Sequence, residues 1–173
     1  MTFTTALPPD TPGTLPAEPV AGTTATLKGV LNPGAARDFE PGTYEFRYRQ
    51  SATECEGGAS TATAKALGHK QEAVAAAVTG LTPRTQYTFC RLARNEAEET
   101  EETAVGGPQT FTTPAIAPTV LDEFSSEVTS DSATLGAHID PGGADTKYRF
   151  EHGPTASYGT SLLSPKALLA KAP

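Results

Sequence analysis

The chain repeats itself. FTT stands at residues 3–5 and again at 111–113, TATL at 24–27 is matched by SATL at 132–135, and NPG at 32–34 by DPG at 140–142. All three pairs are 108 residues apart. A fourth pair, YEFRY at 44–48 and YRFEH at 148–152, is offset by 104, so four residues were gained or lost in the loop before it. Such short matches are weak singly, but three in one order at one spacing mark a repeated structural unit. If QTFTT at 109–113 ends one unit, TFTT at 2–5 ends the one before. The second copy begins near Thr119 and reaches Pro173 well short of its counterpart's length. The expected organisation is therefore residues 1–15 as the end of a preceding unit with a Pro-rich linker and 16–114 as one complete unit. Residues 115–118 then form a second linker, and 119–173 the N-terminal half of a further unit. Proline in the joints ALPPDTPGTLP (6–16) and TPAIAP (113–118) stiffens them and stops strands from running through.

Within the unit the apolar residues alternate. Ala25, Leu27, Gly29 and Leu31 share one side of residues 24–31, and Ala133, Leu135, Ala137 and Ile139 repeat the pattern. Period two is the mark of a half-buried strand. Asn32-Pro33-Gly34 and Asp140-Pro141-Gly142 then turn the chain. Tyr44, Phe46 and Tyr48 alternate with Glu45, Arg47 and Arg49, residues 86–93 begin the same way, and 109–113 form a short last strand around Phe111. Residues 60–67 and 71–79 are alanine-rich, and alanine favours helix. Residues 71–78 read equally as helix or strand on propensity; the surrounding pattern selects strand, with Val74, Ala76 and Val78 on one face. Some seven short strands between turns, in a chain with 16 Gly and 15 Pro, give an all-β sandwich.

The stretch LTPRTQY at 81–87, followed by TFCRLARN, resembles the corner and sixth strand of fibronectin type III domains of bacterial tandem arrays. Leu81, Pro83, Thr85 and Tyr87 fall on that corner pattern. ATLKGVLNPG, SATLGAHIDPG, YEFRYRQ, YRFEHGPTASYG and PQTFTTP resemble further strands of the family. The resemblance spans residues 16–114 and, for the first strands, 119–163. It implies a seven-stranded immunoglobulin-like sandwich, complete once and partial once. Leu81, Pro83 and Tyr87 would form its structural corner, the Tyr87 hydroxyl bonding back to the turn backbone. It implies, too, that Cys90 points out of its sheet, since Tyr87 and Phe89 point in, and that the strand beside it leads to Cys55. A Cys55–Cys90 disulfide is the implied pairing, two unrelated thiols the plain alternative. Arg91 departs from the pattern, standing in phase with Tyr87, Phe89 and Ala93 where the family has an apolar residue. It must snorkel to an edge, or a bulge must shift the phase after Cys90. His152 replaces the usual tyrosine in the second copy.

Site chemistry is sparse. The acidic run EAEETEE, Glu96 to Glu102, is expected in a loop; it lacks calcium-loop spacing and reads as a solvated, self-repelling segment. His69, His138 and His152 have no second ligand at metal spacing, and two cysteines without CxxC spacing are no zinc site. No nucleophile, metal or phosphate motif stands in an interpretable context, and Ala36-Arg37-Asp38 only approaches an integrin-type motif. We expect no catalytic residues, no metal and no cofactor. With 13 basic against 20 acidic residues and a net charge of −7, nucleic acid is not an expected partner. The longest apolar run, 73–78, is too short to span a bilayer, so no membrane insertion is expected. MTFTTALPPD does not read as a signal peptide, and export of a longer parent chain stays open. With no Trp and most Tyr at inward positions, glycan binding is disfavoured. The tail SPKALLAKAP could start a helix at Ser164 and Pro165.

These features lead to a non-catalytic extracellular or cell-surface module, acting as a spacer or protein-interaction unit, monomeric as a fragment, with the protein or cell-surface partner unidentified. The alternatives are an accessory domain of a secreted polysaccharide-degrading enzyme and a surface or filament subunit completed by strands of another chain. Residues 119–173 are expected to be marginal alone, because a half-sandwich exposes apolar faces and unpaired edges.

Overall fold

The computed structural model describes residues 13–32, 41–67, 70–97 and 100–163. They form strands and connections, with no helix among them. The tail helix, His69 and residues 1–12 lie outside the described residues. The chain divides into two compact units, Met1–Pro114 and Ala115–Pro173.

In the first unit the strands are β1 (Gly13–Leu15), β2 (Thr24–Leu31), β3 (Pro41–Gln50), β4 (Ala59–Ser60), β5 (Ala64–Leu67), β6 (Glu72–Thr79), β7 (Gln86–Ala97), β8 (Thr100–Val105) and β9 (Gln109–Thr112). One sheet has the order β1-β2-β6. The other is centred on the antiparallel pair β3-β7, with β4 and β5 on the far edge of β3 and β8 and β9 on the far edge of β7. Nine strands thus occupy seven positions, because two edges are interrupted. At the first break Phe46 N–H donates to Thr61 Oγ1 at 2.9 Å, and Thr61 N–H donates to the Phe46 carbonyl at 2.8 Å. At the second, Gly106 N–H donates to the Arg91 carbonyl at 2.8 Å before Pro108 ends the ladder.

The alternation fills the space between the sheets. Ala25, Leu27 and Leu31 of β2 are buried, as are Val74 and Val78 of β6, against Phe46, Tyr87, Phe89 and Phe111 from the opposite sheet. The Phe89 ring lies 6.3 Å from Phe46 and 5.8 Å from Phe111, which stacks on Tyr87 at 5.5 Å. Each such side chain contributes about 1.5–3 kcal/mol by leaving water. Alanine-rich β6 is a strand because all eight of its residues pair with β2. Tertiary pairing overrides its local helix preference.

Two expectations are corrected here. The acidic run from Glu96 to Glu102 is not a loop: β7 and β8 extend as a hairpin, with Asn95 opposite Glu102 and Glu96 opposite Glu101. Leu92 opposite Val105 and Ala93 opposite Ala104 set that ladder going. Residues 98 and 99 lie outside the described residues. Nor is there a bulge after Cys90, for β3 and β7 pair in one unbroken register from Gln50↔Tyr87 to Thr43↔Arg94.

The second unit holds two separate hairpins. β10 (Thr119–Ser126) pairs with β11 (Thr134–Asp140), with a shift between Val120 and Asp122, and β12 (Arg149–His152) pairs with β13 (Thr160–Leu163). The turn after β11 is an Asx turn, Gly142 N–H donating to Asp140 Oδ1 at 2.8 Å, with Gly142 at φ 64°. The first-copy turn at 33–34 lies outside the described residues. Whereas β2 buries every second residue, β11 carries the same sequence pattern half-exposed. Leu121, Val128 and Leu163 are 67%, 68% and 77% exposed.

Candidate functional site

The corner after β6 is built by hydroxyls. Thr82 N–H donates to the Tyr87 hydroxyl oxygen at 2.9 Å. Thr113, 1% exposed, closes the turn from the end of the unit: its hydroxyl donates to the Thr82 carbonyl at 2.7 Å and accepts from Thr85 N–H at 3.0 Å. Thr85, equally buried, donates its hydroxyl to the Pro83 carbonyl at 3.0 Å. Leu81 is buried beneath, its N–H bonded to the Thr23 carbonyl at 3.0 Å. Arg84 takes φ 51°, a turn conformation that side chains rarely adopt. Sequence reasoning placed Leu81, Pro83 and Tyr87 here but missed Thr113, which is 26 residues beyond Tyr87 and reaches the corner only through the β7-β9 ladder.

Cys55 and Cys90 are bonded to each other, with Cα atoms 5.9 Å apart. Neither joins the inter-sheet core. The bridge ties β7 to the segment that follows β3, and Thr88 supports the same segment by donating its hydroxyl to the Ala52 carbonyl. Both cysteines are buried. The disulfide, Leu92 and Val105 line a cavity of about 560 Å³, with Arg47, Glu54 and Glu56 among its polar walls. Arg47 is held by Glu45 at 3.1 Å. The face offers an apolar floor with mixed charge at its walls.

Arg91 does what neither expectation allowed. It is 0% exposed, points between the sheets in phase with Phe89, and among the described residues none of its guanidinium nitrogens has a hydrogen-bond partner. Space for it comes from Gly29 of β2, where a Cβ would stand 2.9 Å from Arg91 Nη1 and 3.0 Å from the Gly13 carbonyl. Burial lowers its pKa from the ordinary guanidinium value to about 10, and the Tyr44 phenol acts in the opposite direction. The signal for this pair was present in the sequence as two anomalies: a glycine at an inward strand position, which marks a close approach, and a cation in an apolar phase.

His138 is exposed, 3.6 Å from Asp122 and against the Phe124 ring, and His152 is exposed on β12. Among the described residues no group of three or more His, Cys, Asp or Glu side chains could hold a metal ion. Among the described residues no helix is long and apolar enough to cross a membrane.

No family model matches the sequence, and no curated protein matches it. Among solved structures the chain resembles the sensor domain of the anti-sigma factor RsgI4 in Pseudobacteroides cellulosolvens. A shorter version is 17% identical with a TM-score of 0.46, over 64% of this chain and 98% of that one. A longer version is 18% identical with a TM-score of 0.43, over 70% of this chain and 97% of that one. Likeness this distant carries nothing about function.

Proposed function

We propose that the chain is a fibronectin type III-like, non-catalytic module of a tandem array, acting outside the cell or on its surface as a spacer or protein-interaction unit. The observation that carries this reading is one strand plan laid down twice: β1-β2 in the first unit and β10-β11 in the second, at matching sequence positions. Supporting it, the buried polar groups around Tyr87, Thr85 and Thr113 hold backbone rather than face a substrate. The disulfide fits an oxidising compartment.

The test is made in the organism that expresses the chain. Cells are quenched in acid, and thiols are alkylated before and after reduction, while intact cells are shaved with protease. Cysteines that react only after reduction, together with peptides released from the surface, are expected. Free thiols in the quenched sample and full protection from external protease would overturn the reading.

A further inference from the structure

The Cys55–Cys90 bridge lies outside the inter-sheet core, and both of its cysteines line the cavity of about 560 Å³. The charges at its two ends differ in sign. Cys55 stands in the chain between Glu54 and Glu56, both exposed and both in the wall of the cavity. Cys90 stands directly opposite Arg47 on the β3-β7 ladder, and Arg47 lines the same cavity. Residues directly opposite each other on one sheet face have Cβ atoms about 5 Å apart. Glu45 meets Arg47 at 3.1 Å and shares its charge without moving it from the row of Cys90. The nearby Arg49 donates to the Glu56 carbonyl at 3.3 Å.

Thiol–disulfide exchange responds to such a difference. The nucleophile is a thiolate and so is the leaving group, so negative charge approaches one sulfur and collects on the other. A thiolate formed on Cys90 has a cation across the ladder, whereas one formed on Cys55 is flanked by two carboxylates that disfavour it. Cys55 is therefore the sulfur attacked and Cys90 the one that leaves. The incoming thiolate must pass Glu54 and Glu56, and a positive charge beside its sulfur offsets their repulsion.

The fold lets this happen without unfolding. Before Cys55, Ser51 N–H donates to the Gln86 carbonyl at 3.0 Å and the Ala52 carbonyl accepts from the Thr88 hydroxyl. After it, Ala59 and Ser60 pair with β3. Residues 53–58 thus stay held at both ends when the bridge opens.

We propose that the Cys55–Cys90 disulfide is a thiol-exchange site, selective for thiols that carry an adjacent positive charge. The partner thiolate, its proton already lost to solvent, bonds to Cys55 Sγ. The S–S bond breaks, and its electron pair leaves on Cys90 Sγ, which takes a proton from water. The product is a mixed disulfide on Cys55. A second thiolate attacking the partner's sulfur releases Cys55 and completes a two-electron reduction to two thiols. This goes beyond the reading of the chain as a spacer or interaction module and does not depend on it.

The test reduces the full chain under native conditions with three thiols: cysteamine, which carries an ammonium, neutral mercaptoethanol, and mercaptoethanesulfonate, an anion. Each rate per thiolate is divided by the same thiol's rate with hydroxyethyl disulfide, which removes differences in intrinsic nucleophilicity. The normalised rates should fall in that order, with about fivefold or more between first and last at low ionic strength. They should converge in the unaltered protein at about 1 M salt, where the Debye length is about 3 Å. Glu54→Gln with Glu56→Gln should bring the same convergence at low salt. Acid quenching early in the cysteamine reaction, followed by peptide mass spectrometry, should find the adduct on Cys55. Equal normalised rates, a spread that survives in high salt or in the double variant, or an adduct on Cys90 would each overturn the proposal. So would a rate independent of thiol concentration, since reduction would then wait on unfolding.

Discussion

Arg91 is a buried cation in an apolar layer, which costs stability. Among the described residues its three guanidinium nitrogens are out of water and without a hydrogen-bond partner, and the group stays charged at neutral pH with a pKa of about 10. Replacing a buried charge by an apolar residue of similar length removes the desolvation penalty, so Arg91→Met should raise stability by about 1–4 kcal/mol, read from the urea midpoint at pH 7. The pH dependence follows from the lowered pKa. Below about pH 10 folded and unfolded chains both carry the proton, so the gain from Arg91→Met is constant. From about pH 10 up to the ordinary guanidinium pKa the unfolded wild type binds more protons, its stability rises with pH through this group, and the advantage of the variant shrinks. Gly29→Ala should destabilise the wild type and do so less in the Arg91→Met background; equal effects in both would show that the two residues do not share the space. At the corner, Tyr87→Phe leaves Thr82 N–H to solvent and should cost about 1 kcal/mol. Thr113→Val leaves the buried Thr85 N–H and the Thr82 carbonyl unmet and should cost more, about 1–3 kcal/mol, by the same denaturation measurement.

At the level of elements, the disulfide holds a segment rather than a core. It closes a span of 35 residues between Cys55 and Cys90. In the chain-entropy model such a loop is stabilised by about 3–4 kcal/mol. Cys55→Ser with Cys90→Ser should lower stability by that order, with hydrogen exchange rising first at residues 51–58, since the inter-sheet core does not include the bridge. An accompanying loss of protection in β2 and β6 equal to that at 51–58 would show instead that the bridge braces the whole sandwich. The interrupted edges have a related logic. β4 and β5 divide one edge and β8 and β9 the other, which shortens the runs of unpaired backbone available to another sheet.

On the scale of the whole molecule, stability is expected to be uneven. The first unit closes two sheets around a shared aromatic core, whereas the second leaves Leu121, Phe124, Val128 and Leu163 exposed. Amides of β2 and β7 should therefore exchange by global unfolding and those of β11 and β12 by local opening, far sooner. Equal protection in both units would contradict this. Much of this plan was legible beforehand. The repeat located both copies of the β2 pattern, and alternation assigned Leu27, Phe46 and Phe89 to the interior. Less legible were contacts made between residues far apart in the chain. Thr113 closes a turn begun at Leu81, and polar composition at 96–102 hid a ladder whose pairing begins at Leu92 and Val105.

The sequence by itself determined the strands at 24–31, 43–49 and 86–90 and the phases of Leu27, Phe46 and Phe89, because side chains on a strand alternate by geometry and need no partner to do so. It also determined the repeat, and with it the positions at which Gly29 and Ala137 differ. Only the tertiary structure decided where Arg91 goes. An unbroken register across β3 and β7 forces its side chain inward, and the missing Cβ of Gly29, 62 residues away, gives it room. Likewise, alternation shows that β11 has an apolar side, but only the structure shows that, among the described residues, β10 is the strand that pairs with it.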